Sequence, residues 1–244
     1  MTRVSVITPT YNRKKFLEYL VYMQVYQEYP LNKMEFLIYD DSSENHEEYL
    51  RSLYDRFIRL FKKDPNDLTF RYFYSSERVP LGQKRNFLND HATGDIITCF
   101  DDDDYYPPDK VRHMVYRMNQ NRNVLLSGST EMLIYLSRID TIVKVGPYGP
   151  NHCTNGTLSY RREYLKNHRY VDDASKAEEK HFMEEYKNPL TQIDYTKTIV
   201  CIAHDTNTVD KYKVHSQPTK LRLKNIIKDK KLLSFYKNIN KCSV

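Results

Sequence analysis

ATGDIITCFDDDDYYPPDKV, residues 92–111, is the stretch on which the fold turns. Gly94 opens a turn, and Asp95-Ile96-Ile97-Thr98-Cys99-Phe100 reads as a short strand, β-branched and too brief for a helix. The strand delivers Asp101, Asp102, Asp103 and Asp104 side by side. Adjacent carboxylates repel one another, and desolvation sharpens the repulsion. Water or a cation must compensate, since no Lys or Arg lies within the run. A solvated loop or a helix N-terminus would account for part of it, Asp104 above all. The run as a whole suits an oxygen-rich site for Mg²⁺ or Mn²⁺ that leaves coordination positions for phosphate. Pro108 then fits the first turn of a helix with Val111, Met114, Val115 and Met118 inward.

Working outward, the same alternation recurs. Val4 to Thr8 reads as a strand that stops at Pro9, followed by a helix with Phe16, Leu17, Leu20 and Val21 on one face. Met34 to Tyr39 is a second strand, closed by Asp40-Asp41-Ser42-Ser43. Ser42 or Ser43 would cap a helix whose apolar face runs through Leu50, Leu53, Phe57 and Leu60. Leu68 to Tyr74 alternates as a strand, and a helix covers about Gly82 to His91. Strand and helix in repetition predict an α/β fold, a sheet with helices on both faces. Its ligand crevice lies outside the carboxyl ends of the strands. Thr8–Arg13, Asp40–Ser43 and Asp101–Asp104 would therefore converge on one site.

Beyond residue 122 the pattern changes. Strands are expected at Val124–Gly128, Glu131–Leu136 and Thr198–Ala203, and helices at Arg161–His168 and Ala174–Tyr186, around the loop GPYGPNHCTNGT. The basic tail from Lys220 to Lys241 carries Leu223, Ile226, Ile227, Leu233 and Tyr236 at helical spacing. It reads as a helix packed on the body, a homodimer contact or a peripheral membrane contact. No linker divides the chain, so residues 1–219 are expected to form one domain, with halves at 1–122 and 123–219 and the tail at 220–244.

Composition narrows the class. The 244 residues include 22 Tyr and 10 Phe, rings expected at core edges and clefts. A net charge of +6 permits an anionic partner without demanding one. Cys99, Cys153, Cys201 and Cys242 form no CxxC pair, which argues against zinc and for a reducing compartment. The N-terminal MTRVSVITPTYNR lacks an apolar signal core, and no stretch is apolar enough to span a bilayer. The expectation is a soluble, cytoplasmic protein.

VSVITPTYNR, FLIYDDSS and ATGDIITCFDDDDYYPPDKV, in this order and spacing, resemble the nucleotide-binding half of a family 2 glycosyltransferase of the GT-A fold. The likeness covers residues 3 to 115 well and the remainder loosely. It implies a Rossmann-like mixed sheet with a nucleotide-binding N-terminal half and an acceptor-binding C-terminal half. It also implies an inverting, metal-dependent transfer from a nucleotide sugar, most often a UDP-sugar, to a glycan, lipid-linked or protein hydroxyl. The Pro9-Thr10-Tyr11-Asn12-Arg13 loop and Asp41 or Asp40 would hold the base, with Lys84 and Arg85 near the base or the phosphates. Asp102 or Asp101 would face the ribose and Asp103 the Mn²⁺ or Mg²⁺, in a register four aspartates leave open by one residue.

Two further features take meaning from the resemblance. Glu178-Glu179 alone is an ordinary charged pair on a helix. Related enzymes carry a Glu-Asp pair after the acceptor loop, which makes Glu179, or else Glu178, the catalytic base. His204 ends an apolar run and is either structural or a metal or diphosphate contact. Asn155-Gly156-Thr157 is formally a glycosylation sequon and fits better as part of the acceptor loop. Two alternatives stand beside this reading. A nucleotidyltransferase would want a Gly-rich phosphate loop after the first strand, and VITPTYNRKK has no Gly. A nucleic-acid-binding module would not gather acids where phosphate must lie, and no nucleic-acid partner is expected.

Overall fold

All seven residues of β1 (Val4–Thr10) are buried. A strand covered on both faces needs a neighbour on each edge, and β2 (Met34–Asp40) and β4 (Ile96–Cys99) both pair with it in parallel. The computed structural model describes residues 1–207 and 209–240, in which this trio grows to a seven-stranded sheet. On one side lies β3 (Phe70–Tyr74), on the other β8 (Ser159–Arg161), β5 (Leu126–Gly128) and β9 (Leu190–Gln192). β8 runs antiparallel to both β4 and β5, so the sheet is mixed.

Successive residues of a strand point to opposite faces, and the core divides accordingly. Val6, Phe36, Ile38 and Ile96 join α1 (Lys14–Val25), α2 (Glu47–Leu60) and α4 (Lys110–Gln120) in one core. Their neighbours Ile7, Leu37 and Ile97 join Leu88 of α3 (Leu81–His91) in the other. Register carries this order to the strand ends. Ile7 sits opposite Cys99, so three residues further along Thr10 meets Asp102, and its hydroxyl donates to Asp102 Oδ2 at 2.5 Å.

A second sheet was not visible in the sequence. β6 (Met132–Leu136) and β7 (Thr141–Val145) form a hairpin, flanked by β10 (Val200–Ala203) and the two-residue β11 (Gln217–Pro218). β7 was hidden because it adjoins the Gly/Pro-rich loop. The expected helix at Arg161–His168 is a 3₁₀ segment, Arg162–Lys166, and that at Ala174–Tyr186 shrinks to α5 (Glu179–Phe182). Ala177, Glu184, Glu185 and Tyr186 have positive φ, which breaks a helix on both sides. Neither Ser42 nor Ser43 caps α2, which begins after His46, and Leu60 is 59% exposed. Pro108 precedes α4, whose N-cap is Asp109.

The basic tail folds back on the body as two helices, α6 (Leu223–Ile226) and α7 (Lys230–Lys237), rather than one. Leu223, Ile227, Leu232, Phe235, Tyr236 and Ile239 are buried in the α1 core. Phe235 stacks on Tyr19, and the Tyr236 hydroxyl donates to the Asp104 carbonyl at 2.8 Å. Lys241 and Cys242 lie outside the described residues. Leu232→Ala should cost about 2–5 kcal/mol, as a fully buried leucine does. Chemical denaturation measures it. A change below ~0.5 kcal/mol would mean that the tail is not part of the core.

Candidate active site

Each aspartate of the acidic run has a partner from elsewhere in the chain. Asp101 Oδ1 accepts from Arg85 Nη2 at 3.0 Å, and Asp102 takes the Thr10 hydroxyl. Asp103 Oδ2 lies 3.0 Å from His204 Nε2 and 3.8 Å from an Arg13 guanidinium nitrogen. Asp104 Oδ1 accepts from the Ile202 amide at 2.7 Å and lies 3.4 Å from Lys211 Nζ. Burial and the charge of Asp103 push the Asp102 carboxyl up. Burial also raises Asp104 against the pull of Lys211. Asp103 is held down despite its burial by Lys211, His204 and Arg13. Asp103 thus differs from Asp102 and Asp104, and it lies next to an imidazole whose pKa burial lowers.

These acids form part of the wall of a cavity of about 920 Å³, at the carboxyl ends of β1 and β4. Pro9, Thr10, Tyr11, Arg13, Lys84 and Arg85 line it, as the sequence led us to expect. Arg78, unremarked in the sequence, also lines it, with its guanidinium 4.2 Å from the centre of the Tyr11 ring. Asp40 and Asp41 do not reach the cavity wall. Asp40 accepts from the Ser42 amide, His46 Nδ1 and the Tyr72 hydroxyl, and braces the loop from within. Asp41 accepts from the Val79 amide at 2.9 Å and is paired with Lys84, whose Nζ also reaches the Thr10 carbonyl at 3.0 Å. The carboxylate oxygens of both residues are thus engaged within the protein.

Glu178 and Glu179 reach the same cavity from the far half of the chain. Glu178 Oε1 accepts from Arg85 Nε at 2.8 Å, so Arg85 bridges the acidic run to the glutamate pair. Its Nη1 is buried without a hydrogen-bond partner among the described residues. Asn155 Nδ2 donates to Glu178 at 2.9 Å and to Glu179 at 3.1 Å, and its Oδ1 accepts from the Tyr170 hydroxyl. The sequence marked this asparagine only as part of a sequon in the acceptor loop, and its contacts with both glutamates come from the fold. Burial, then the charge of Glu178, push the Glu179 carboxyl up to about 7.

Backbone packing sets the position of the pair. Gly82 and Gln83 at the start of α3 donate to the carbonyls of Ala174 and Asp172. A Cβ on Gly82 would meet the Val171 carbonyl oxygen at 1.9 Å, so only glycine permits the approach. Lys110, buried beneath the acidic run, donates to the carbonyls of Cys99 and Gly156 and ties the acceptor loop to β4.

Among the described residues, no three His, Cys, Asp or Glu side chains gather into a complete metal site. Asp103 lines the cavity, whereas the His204 side chain is buried behind it, with Nε2 against Asp103 Oδ2 at 3.0 Å and Asn207 Nδ2 at 2.9 Å. A carboxylate such as that of Asp103 is the donor type that suits Mn²⁺ or Mg²⁺.

The family model described as Glycosyl transferase family 2 matches residues 5–135. The chain belongs to this family. Among relatives of this family 2 chain, the GalNAc(5)-diNAcBac-PP-undecaprenol beta-1,3-glucosyltransferase of Campylobacter jejuni is 29% identical over 104 residues, 43% of this chain and 30% of its own length. An uncharacterised glycosyltransferase of Rickettsia conorii is 26% identical over 134 residues, 54% of this chain and 20% of its own length. The chain thus spans less than a third of either relative. Staphylococcus aureus TarS 1–349, solved with UDP-GlcNAc, superposes with a TM-score of 0.59 at 17% identity, over 87% of this chain and 61% of that one. The mannosyltransferase PcManGT of Pyrobaculum calidifontis, solved with GDP-Man and Mn²⁺, gives 0.60 at 20%, over 82% and 56%. These likenesses establish the GT-A fold.

Arg85→Met should destabilise the protein by about 3–5 kcal/mol, because Glu178 is left buried and unpaired. Adding Glu178→Gln should restore part of that loss. Equal denaturation midpoints for the single and double variants would show that the pair is not coupled.

Proposed function

We propose that the chain transfers a sugar from a nucleotide sugar, a UDP-sugar, to a hydroxyl acceptor with inversion at the anomeric carbon. The observation that carries this reading is the meeting of the acidic run and the Glu178-Glu179 pair in one cavity, joined through Arg85. Family membership and the fold shared with a UDP-GlcNAc complex support it. In this scheme residues 1–122 form the donor half and 123–219 the acceptor half. The packed tail completes the core. Family membership also speaks against the nucleotidyltransferase and nucleic-acid-binding alternatives.

Asp103, backed by His204, would hold Mn²⁺ or Mg²⁺. When bound, the ion offsets the charge of the departing diphosphate. Arg13 and Lys211, on either side of Asp103, add fixed positive charge near the same place. Arg85 orients Glu178 and Asp101. Glu179 accepts the proton of the acceptor hydroxyl as its oxygen attacks the anomeric carbon. Its raised carboxyl suits a base that must hold and release a proton near neutrality.

Three outcomes are expected. UDP with Mn²⁺ should raise the melting temperature more than the sum of their separate effects, with ~100-fold excess over the dissociation constant contributing about 2.7 kcal/mol. A flat melt would remove the nucleotide-sugar reading. Glu179→Gln should keep that shift while UDP release from the turned-over donor falls ~10²–10⁴-fold; Glu178→Gln losing activity instead would exchange the two roles. Because Glu179 is protonated below about pH 7, turnover should fall about tenfold per pH unit below that point and level off above it. A pH–rate profile with its acid limb near pH 4 would assign the base elsewhere.

A further inference from the structure

A second cavity of about 580 Å³ opens beside the first and shares Ser129, Thr130, Glu131 and Tyr148 with it. The volume lies within the range of small-ligand clefts. Its remaining wall comes from Pro147, Gly149 and Pro150 of the acceptor loop and from Gln192, the last residue of β9, with Ile193, Asp194 and Tyr195 after it. The two walls differ in their cations. Arg13, Arg78, Lys84, Arg85, Lys176 and Lys211 line the first cavity together with its acids, whereas the charged lining residues of the second are Glu131 and Asp194, and Glu131 is paired with Lys144 at 2.7 Å.

That contrast decides what the second cavity takes. A phosphate or diphosphate would find no Lys or Arg among the described lining residues, and the nearby Lys144 is already held by Glu131. An acyl chain would need aliphatic walls, and Ile193 is the one aliphatic branched side chain among its lining residues. The surfaces offered are two phenol rings, Tyr148 and Tyr195, between polar groups of Glu131, Gln192 and Asp194. Tyr148 is 53% exposed yet oriented, since its amide donates to Thr130 Oγ1 at 2.9 Å and its ring tilts against His152. Rings with polar neighbours match a neutral polyhydroxylated ligand, which has C–H faces and a rim of hydroxyls.

We infer that the second cavity binds the penultimate sugar of a neutral saccharide acceptor whose terminal sugar lies in the first cavity before Glu179. The inference rests on the reading of the first cavity as the transfer site and narrows the acceptor to a glycan of at least two units. Gly149 provides a direct test. It lines only the second cavity, and a Cβ built on it meets nothing within 4 Å, so a large side chain is tolerated there at the cavity wall.

Isothermal titration would compare the methyl β-glycosides of glucose, galactose, N-acetylglucosamine and N-acetylgalactosamine with their β-1,3- and β-1,4-linked disaccharides. The full chain is used, with and without UDP and Mn²⁺. At least one disaccharide should bind ~10-fold or more tightly than its monosaccharide. Gly149→Trp should erase that difference with the UDP-dependent melting shift unchanged, and Tyr148→Ala should reduce it. Equal affinities across the panel, no binding by any glycoside, or a preference that survives Gly149→Trp would overturn the inference. Loss of the UDP shift in the parent protein would instead strike the donor reading, and the disaccharide comparison without nucleotide is read independently of it.

Discussion

The mutual repulsion of Asp101, Asp102, Asp103 and Asp104 is the constraint around which the chain is arranged. Side by side at the end of a buried strand, four carboxylates cannot all remain ionised without compensation. The fold separates their fates. Arg85 from α3 pairs with Asp101, a β1 hydroxyl meets Asp102, and Lys211 and the β10 backbone take Asp104. Asp103, beside His204 and Arg13, is the one whose carboxyl these neighbours hold down. Removing any one partner would shift protons among the others, because neighbouring carboxyls titrate together.

The same contacts hold the two halves of the molecule in place. Arg85 reaches from Asp101 to Glu178, Lys110 from β4 to Gly156, and Arg13 from the β1 loop to Thr206. Each link crosses from the strand ends of the first half to the loops of the second. The distance from the acidic run to the glutamate pair is therefore set by buried, charge-assisted hydrogen bonds, which are stronger and more directional than neutral ones. The short αL-rich segment around Glu179 would otherwise have little to fix it. The price of this rigidity is the buried, unpartnered Arg85 Nη1.

The first half of the fold was legible because its signals are local. Val4–Thr8, Met34–Tyr39 and Ile96–Cys99 are short β-rich runs ending in polar clusters, and the parallel sheet brings those ends together. Phe16, Leu17, Leu20 and Val21 were placed correctly by helical periodicity, as were Val111, Met114, Val115 and Met118. Past residue 122 local signals fail. Glu-rich, Lys-rich sequence from 174 to 186 has high helix propensity, yet tertiary contacts and four residues of positive φ in that stretch reduce it to one turn. Pairing partners as distant as Val200 with Leu133 cannot be inferred from spacing alone.

By itself, then, the chain's order of residues determined the strand–helix alternation of the first half and the acidic strand end. Those follow from periodicity and residue chemistry, which act over a few positions. Tertiary structure alone decided which carboxyls of the run are raised and which is held down. It withdrew Asp40 and Asp41 from the cavity into internal hydrogen bonds, brought Asn155 to both glutamates and set His204 against Asp103. The reason is physical: ionisation and hydrogen bonding depend on neighbours within a few ångströms, and here those neighbours lie up to about a hundred residues away along the chain.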